Sequence, residues 1–405
     1  MDHSAFKALL KLDGQAALND AAALQPREVD FLTHFTALSR KYPADLARAA
    51  LETAILRREA GAKFPEAQRM YFTRPALEQA SSAVIAAYRS ERYHDFVQAV
   101  DLGCSIGGDT LALAAVTEVV GIDLDPLRLA MAQANVEALG FSERARFVYA
   151  DLEQALPLSP DPTIGFFFDP ARRTSAGRVY SVEDYRPRLS HVRGWLEHYP
   201  SMGVKISPGV DLDELKTYET EVEFISLDGE LKEAVLWFGP LRSTRRRATR
   251  LPGPHTLVAE SDFPQNERER RLPLTEPQEF LYEPDPAIMR AGLVEELGLQ
   301  LGAAQLDPDI AYLTAGQAVE TPWVRSWAIE AWFPFQLKRL REELRARRVG
   351  RVTIKKRGSP LQPEELISRL RLSGDQSRVI ILTHLRGKSI VILAFESQIQ
   401  GEAGP

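Results

Sequence analysis

Carboxylates and glycines in a fixed order give this chain its chemical character. Asp101-Leu102-Gly103-Cys104-Ser105-Ile106-Gly107 sets an acid ahead of a run of spaced small residues. Asp123 follows twenty residues after Gly103, and Asp151 and Asp169-Pro170 each close a later apolar run. A small-residue turn at the carboxyl end of a strand lets backbone approach a ligand, and the helix behind it offers free N–H groups. An acid about 20 residues on can accept hydrogen bonds from two ribose hydroxyls. Asp151 is suited to accept from an adenine amine. Gly103-x-Ser105-x-x-Gly108 fits a dinucleotide fingerprint only in part, and Asp101 would repel a pyrophosphate. The same carboxylate suits the cationic amino-acid end of S-adenosylmethionine. That cofactor is therefore expected, held by Asp101, Gly103, Ser105, Gly107, Asp123 and Asp151. Cys104, with no adjacent His or Lys to activate it, reads as a small packing residue.

A second cluster points to an acceptor. Phe166-Phe167-Phe168 reads as a buried strand, and Asp169-Pro170 turns the chain where a methyl group would sit. Methyl transfer to an exocyclic amine requires that nitrogen to aim its lone pair at the methyl. The Asp169 carboxylate and the Pro170 carbonyl can each accept one N–H, which orients the amine and lets a proton leave. Arg172 and Arg173 are suited to bind phosphate or stack on a base. Lys205, after the next apolar strand, is expected on the same edge as a phosphate or substrate contact. Tyr180 and Tyr185 are weaker stacking candidates.

These residues need a scaffold that brings strand ends together. Residues 1–93 read as a helical region. From 94 to 241, strand-length apolar runs at 97–101, 119–123, 146–149, 163–169, 202–206, 221–227 and 234–238 alternate with helical stretches. That pattern predicts an α/β fold with a mostly parallel sheet covered on both faces. The last two runs are too close for a crossover helix and should pair antiparallel. A helix opening at Thr73-Arg74-Pro75 is expected to run to about Tyr93. Residues 242–279, rich in Arg and Pro, read as a linker or arm. Residues 280–397 read as a small α+β module, with helices at 287–297, 334–347 and 363–370 and strands at 351–355, 378–383 and 389–395.

Bulk properties set limits. The 405 residues include one cysteine, so no intramolecular disulfide or thiolate zinc cluster can form. The seven histidines are scattered, and no metal is expected. No run approaches a membrane span of about 20 apolar residues, and no secretory leader is evident, so a cytoplasmic protein without membrane association is expected. Net charge is −6, but residues 242–250 hold five arginines and no acid, and residues 338–357 hold ten Lys/Arg against two Glu. Clustered cations suit phosphates, and structured RNA is the partner expected for them, with Lys355, Lys356 and Arg357 among the contacts. The sequence leaves the oligomeric state open.

Cys104-Ser105-Ile106-Gly107-Gly108-Asp109-Thr110, Ile122-Asp123-Leu124-Asp125-Pro126 and Ala130 with Asn135 resemble the cofactor site of class I methyltransferases. Within that class they are most similar to trimethylguanosine-synthase-like RNA methyltransferases. The whole chain resembles bacterial S-adenosylmethionine-dependent methyltransferases with a C-terminal THUMP-like domain. The resemblance is carried by Phe72-Thr73, Leu77-Glu78-Gln79-Ala80, Asp169-Pro170-Ala171-Arg172-Arg173 and Val204-Lys205-Ile206-Ser207-Pro208-Gly209. It extends to Tyr282-Glu283-Pro284-Asp285-Pro286 and Ile354-Lys355-Lys356-Arg357-Gly358. It implies a seven-stranded Rossmann-like sheet and a helical N-terminal layer closing over the cofactor through Phe72, Thr73 and Gln79. Amino-methyltransferases of this kind usually carry Pro-Pro and an aromatic after the Asp; here Ala171 and Arg172 stand there, a variant closer to guanine than to adenine enzymes. THUMP domains are associated with structured RNA such as tRNA. The resulting expectation is methylation of an exocyclic amine, guanine favoured, in structured RNA. A protein or small-molecule acceptor, or a cofactor-binding RNA-binding protein without turnover, are the alternatives.

Overall fold

The computed structural model describes residues 1–154, 156, 161–171, 173–174, 177–178, 181–261 and 272–396. The chain divides into two compact units, residues 1–221 with 233–243, and residues 222–232 with 244–405.

The first unit opens with helices α1 (His3–Leu9), α2 (Leu12–Ala23), α3 (Phe31–Leu38), α4 (Ala44–Ala60), α5 (Arg74–Gln79) and α6 (Ala83–Ser90). The single helix expected from Thr73 to Tyr93 is thus two. Thr73 caps the first, its Oγ1 accepting from the Ala76 N–H at 3.3 Å. Lys63 ends it, its Nζ donating to the carbonyls of Leu77, Glu78 and Ala80 at 2.7, 3.1 and 2.9 Å. A cation there satisfies carbonyls that have no partner within the helix and complements the helix dipole.

Strands and helices then alternate: β1 (Gln98–Leu102), α7 (Gly108–Val116), β2 (Glu118–Asp123), α8 (Pro126–Leu139), β3 (Ala145–Tyr149) and β4 (Ile164–Phe168). The short β5 (Arg173–Thr174) and β6 (Gly177–Arg178) follow, then α9 (Leu189–Leu196), β7 (Met202–Ile206), β8 (Glu221–Leu227) and β9 (Glu230–Trp237). α8 shows why these boundaries fall where they do. Asp125 accepts from the N–H groups of Leu127 and Arg128, Pro126 occupies the first turn, and Gly140 closes the helix at φ 85°. β1 runs parallel to β2 and β4, with Leu102 level with both Ile122 and Phe168. β2 runs parallel to β3, with Asp123 level with Tyr149. This register brings Gly103, Asp123, Ala150 and Asp169 to one edge of the sheet.

Hydrogen-bonded order is β9-β7-β4-β1-β2-β3 in the first unit and β11-β10-β8 in the second, two strands more among the described residues than the seven expected. The two extra strands, β10 (Arg246–Leu251) and β11 (His255–Ala259), lie in the stretch read as a linker or arm. The arginines of β10 masked its strand pattern. Arg246 is only 1% exposed; its guanidinium donates to the carbonyls of Ala291, Gly292 and Ser261 within the second unit. That residue is a buried cross-link, not the phosphate contact expected of the cluster.

In the second unit β8 pairs in parallel with β10, and β10 antiparallel with β11. Next come β12 (Phe280–Pro284), α10 (Pro286–Arg290), α11 (Val294–Leu301), β13 (Ala304–Asp307), β14 (Ile310–Ala315), β15 (Val324–Pro334) and α12 (Leu337–Ala346). β16 (Val349–Lys356), α13 (Pro363–Leu370), β17 (Gln376–Leu385) and β18 (Lys388–Glu396) complete the unit. They build a seven-stranded sheet, β13-β14-β12-β15-β18-β17-β16. α13 carries the chain from β16 to its parallel partner β17, and β18 returns antiparallel, the α+β order expected of this end. α12 and α13 bury Leu340, Leu344, Leu366 and Leu370 against Ile380, Leu382, Val391 and Leu393. The helix expected over 287–297 breaks at Gly292, whose φ is 64°.

Candidate active site

A cavity of about 860 Å³ opens in the first unit at the carboxyl edge of its parallel strands. That is the end at which open α/β sheets take ligands. Gly103 and Ser105 from the first turn, Asp123, Asp151, Asp169 with Pro170, and Gln79 all line it.

The first turn is tightly determined. Gly103 sits at φ 80°, and a Cβ there would lie 3.3 Å from the Asp169 carbonyl oxygen. Gly107 sits at φ 81°, and its Cβ would meet Ala132 Cβ at 3.2 Å. Both positions need a residue without a side chain. Ser105 also has positive φ, 51°. Its N–H donates to Asp123 Oδ2 at 2.8 Å, while Asp123 Oδ1 accepts from the Asp125 N–H at 2.8 Å. Asp123 therefore fixes the turn from the neighbouring strand and still lines the cavity, where each oxygen has capacity for a hydroxyl. Asp151 holds its own turn, accepting from the Glu153 N–H at 3.0 Å. Burial pushes the Cys104 thiol up, in keeping with a packing role.

Asp101 occupies a different place from its expected one. It is buried beneath the turn, 1% exposed, and accepts from Thr110 Oγ1 at 2.6 Å. Burial, reinforced by the neighbouring Asp109 charge, pushes its carboxyl up to about 8. The acid from this motif that faces the cavity is Asp109, in the first turn of α7. Asp109 is fastened to the buried Arg89 guanidinium of α6, which also binds Glu233 of β9 and lies 4.6 Å above the Phe167 ring. Asp109 went unassigned in the sequence because an acid in a first helical turn is ordinary. Arg89 lies 20 residues away in sequence and Glu233 lies 144 residues from Arg89.

Asp169 follows β4 and enters the cavity. Its Oδ2 accepts from Lys205 Nζ at 2.6 Å, and Lys205 is 3% exposed. Lys205 was expected as a phosphate or substrate contact; its ammonium is instead committed to Asp169 beneath the surface. Among the described residues Asp169 Oδ1 carries no hydrogen bond, leaving one acceptor oxygen for a ligand.

Other expected site residues lie elsewhere. Phe72 is fully buried against Phe64, and Thr73 caps α5; neither lines the cavity. Gln79 does, on the loop end that Lys63 secures. Arg172 and Tyr180 lie outside the described residues. Arg173 begins β5, which pairs with β6. Tyr185 is buried, its hydroxyl accepting from the Ser207 N–H at 3.0 Å, so it anchors rather than stacks. In the second unit Arg357 is not open to phosphate: it donates to Glu283 at 3.2 Å and to Met289 Sδ at 2.7 Å. Lys356 reaches Gln362 at 3.0 Å on the surface, and Lys355 is half-buried on β16.

The cavity wall carries seven acids against two arginines, Arg128 and Arg186. A negative wall in a concave site favours a cation and disfavours a pyrophosphate, which fits the sulfonium and ammonium of S-adenosylmethionine, whose net charge is positive. Among the described residues no cluster suited to a metal ion and no helix long and apolar enough to cross a membrane is present.

Comparison with known proteins agrees with this chemistry. Residues 99–168 match a methyltransferase domain, 324–396 a THUMP domain-like family and 2–60 a domain of unknown function. An uncharacterized S-adenosylmethionine-dependent methyltransferase of Mycobacterium tuberculosis is 34% identical over 353 residues, 84% of this chain and 93% of that protein. Trimethylguanosine synthase of Schizosaccharomyces pombe is 31% identical over 103 residues, 23% of this chain and 43% of that protein. A crystal structure assigned to the methyltransferases, from Porphyromonas gingivalis W83, has the same fold. It matches with a TM-score of 0.75 at 24% identity, over 92% of this chain and 100% of that one. With an acidic nucleoside-type cavity at the strand ends and relatives alike over most of its length, the chain belongs to the S-adenosylmethionine-dependent methyltransferases.

Proposed function

We propose that this enzyme methylates an exocyclic amine of a base, guanine favoured, in structured RNA. When bound, S-adenosylmethionine supplies an electrophilic methyl group. The chain's own residues do the positioning. Asp123 accepts from the ribose, Asp151 from the adenine, Gly103 and Ser105 let the backbone come close, and Gly107, which does not line the cavity, lets the turn pack on Ala132. Gln79 closes one side, and Asp109 takes the contact with the cationic end, backed by Asp101 below it.

Asp169 carries the acceptor side, and one observation supports the reading most. Lys205 holds Asp169 Oδ2, while Oδ1, which carries no hydrogen bond among the described residues, belongs to a residue that lines the cavity together with Pro170. A carboxylate held by one oxygen has one direction in which to accept an N–H. The Pro170 carbonyl is the second acceptor in reach, so the amine is oriented and its departing proton has an oxygen to meet. The RNA assignment draws support from the THUMP-like match and from the likeness to trimethylguanosine synthase. The test is nucleoside mass spectrometry of RNA from cells lacking the protein, before and after incubation with purified enzyme and S-adenosylmethionine. One methylated guanosine, absent before and restored after, is expected. Methyl label entering protein or small molecules, with RNA unchanged, would overturn the RNA reading.

A further inference from the structure

The acidic cavity poses a problem for a polyanionic acceptor. Of its two lining cations, Arg128 is engaged by Asp125 at 3.4 Å. The Arg186 side chain makes no hydrogen bond or ion pair among the described residues, and the residue is exposed. Its backbone is nevertheless closely held. Ala171 and Arg186 exchange two backbone hydrogen bonds, each 3.1 Å, which sets Arg186 directly across from a residue two positions after Asp169. On its amino side, Tyr185 is buried and its hydroxyl accepts from the Ser207 N–H. Further back, Glu214 accepts from Ser181 Oγ at 3.0 Å and from the Val182 N–H at 2.9 Å. On its carboxyl side, Pro187 is buried in the cavity wall. A closely held backbone thus presents, at the acceptor side and within a field of like negative charges, a guanidinium without a partner among the described residues.

We propose that Arg186 is a substrate-positioning residue that binds a phosphate of the acceptor strand beside the target base. The proposal rests on the RNA reading above. A guanidinium fork matches two phosphate oxygens, and its place across from Ala171 fixes the distance from that phosphate to the amine at Asp169. It also offsets, at the point of approach, the repulsion that the acidic wall exerts on a nucleic acid.

The experiment compares wild type, Arg186→Gln, Arg186→Lys and the control Arg188→Gln on the same RNA over a range of salt. Arg188 is exposed two residues away and does not line the cavity, so its loss removes the same charge without the contact. Arg186→Gln is expected to raise KM for RNA about 10- to 100-fold, the effect of one charge-assisted hydrogen-bonded contact, with kcat little changed. The slope of log KM against log salt should fall by about one. Arg186→Lys should keep that slope, Arg188→Gln should behave as wild type, and S-adenosylmethionine affinity should be constant throughout. An unchanged salt slope in Arg186→Gln overturns the proposal even if KM rises, since a stacking role raises KM without moving the slope. Loss of kcat and cofactor affinity in both Arg186 variants overturns it in favour of a role in the fold. If wild type methylates no RNA, this proposal falls together with the RNA reading; if wild type methylates RNA and Arg186→Gln matches it, only this proposal falls.

Discussion

Replacing Asp169 by alanine should damage stability and turnover for separate reasons, which can be measured apart. The substitution leaves the Lys205 ammonium buried at 3% exposure without its partner. Removing one member of a buried pair costs about 3–5 kcal/mol. The Asp169 side chain is 22% exposed, so water reaches the pair and the lower end, about 3 kcal/mol, is the better figure. For a unit of this size about 1 kcal/mol moves Tm by about 2–4 °C, so a fall of about 6–12 °C is expected. Pairing Asp169→Ala with Lys205→Met removes the stranded charge and should recover most of the loss, a coupling between neighbours that a double-mutant cycle isolates. Turnover should not recover. Losing a positioned proton acceptor costs about 10²–10⁴ in rate, equivalent to about 3–5 kcal/mol of barrier. Asp169→Asn separates the two effects. Its amide oxygen can still accept from Lys205, so Tm should fall less, while the amide nitrogen then faces the acceptor and cannot accept an N–H. Differential scanning calorimetry and transfer of labelled methyl from S-adenosylmethionine read both quantities. Wild-type Tm in Asp169→Ala, or turnover of Asp169→Asn within tenfold of wild type, would refute the reasoning.

Stability should depend on pH through Asp101. Its folded carboxyl titrates at about 8 against an ordinary 3.8, chiefly through burial, so the folded chain keeps a proton that the unfolded chain releases between those values. Stability should therefore fall as pH rises through that window and level off above it; denaturant midpoints across the range check this, and Asp101→Asn should flatten the profile. Binding of a cation should draw that proton off, so S-adenosylmethionine affinity, read by calorimetry, should rise with pH towards about 8. Gly107→Ala must hold alanine at φ 81° with its Cβ 3.2 Å from Ala132. The backbone alone costs about 1–2 kcal/mol, and both Tm and cofactor affinity should drop. Asp123→Asn turns one acceptor of a backbone N–H into a donor, and at about 1.5–3 kcal/mol for such a bond the affinity for S-adenosylmethionine should fall about 10- to 100-fold, measured by the same calorimetry.

What the sequence revealed, and what it hid, follows from how local each signal is. The strand runs at 97–101, 119–123 and 163–169, the capped start at Thr73 and the Asp169-Pro170 corner are short-range patterns, and the structure carries each, with the strands at 98–102, 118–123 and 164–168. The Asp-to-turn spacing was also legible, but not which acid faces the cavity. Asp101 and Asp109 share one motif, and their exchange of roles depends on Arg89, brought in from another helix. Lys205 was placed on the right edge but given the wrong partner, because its pairing with Asp169 spans 36 residues. β10 was missed because arginine is rarely buried; Arg246 is buried only because carbonyls and Glu296 from distant segments satisfy it.

Asn135 of α8 sets a limit on how the methyl donor is exchanged. Its side-chain amide accepts from the Tyr71 N–H at 2.6 Å and donates to the carbonyls of Tyr71 and Ile106 at 3.0 and 2.9 Å. One buried amide thus stitches the segment leading into α5 to the glycine turn. A hinged flap built on Phe72 and Thr73 would have to break the two sheltered hydrogen bonds to Tyr71 at every cycle. Leu124, by contrast, borders the cavity with about half its surface in water, so exchange of the donor is expected on that side and not through the helical layer.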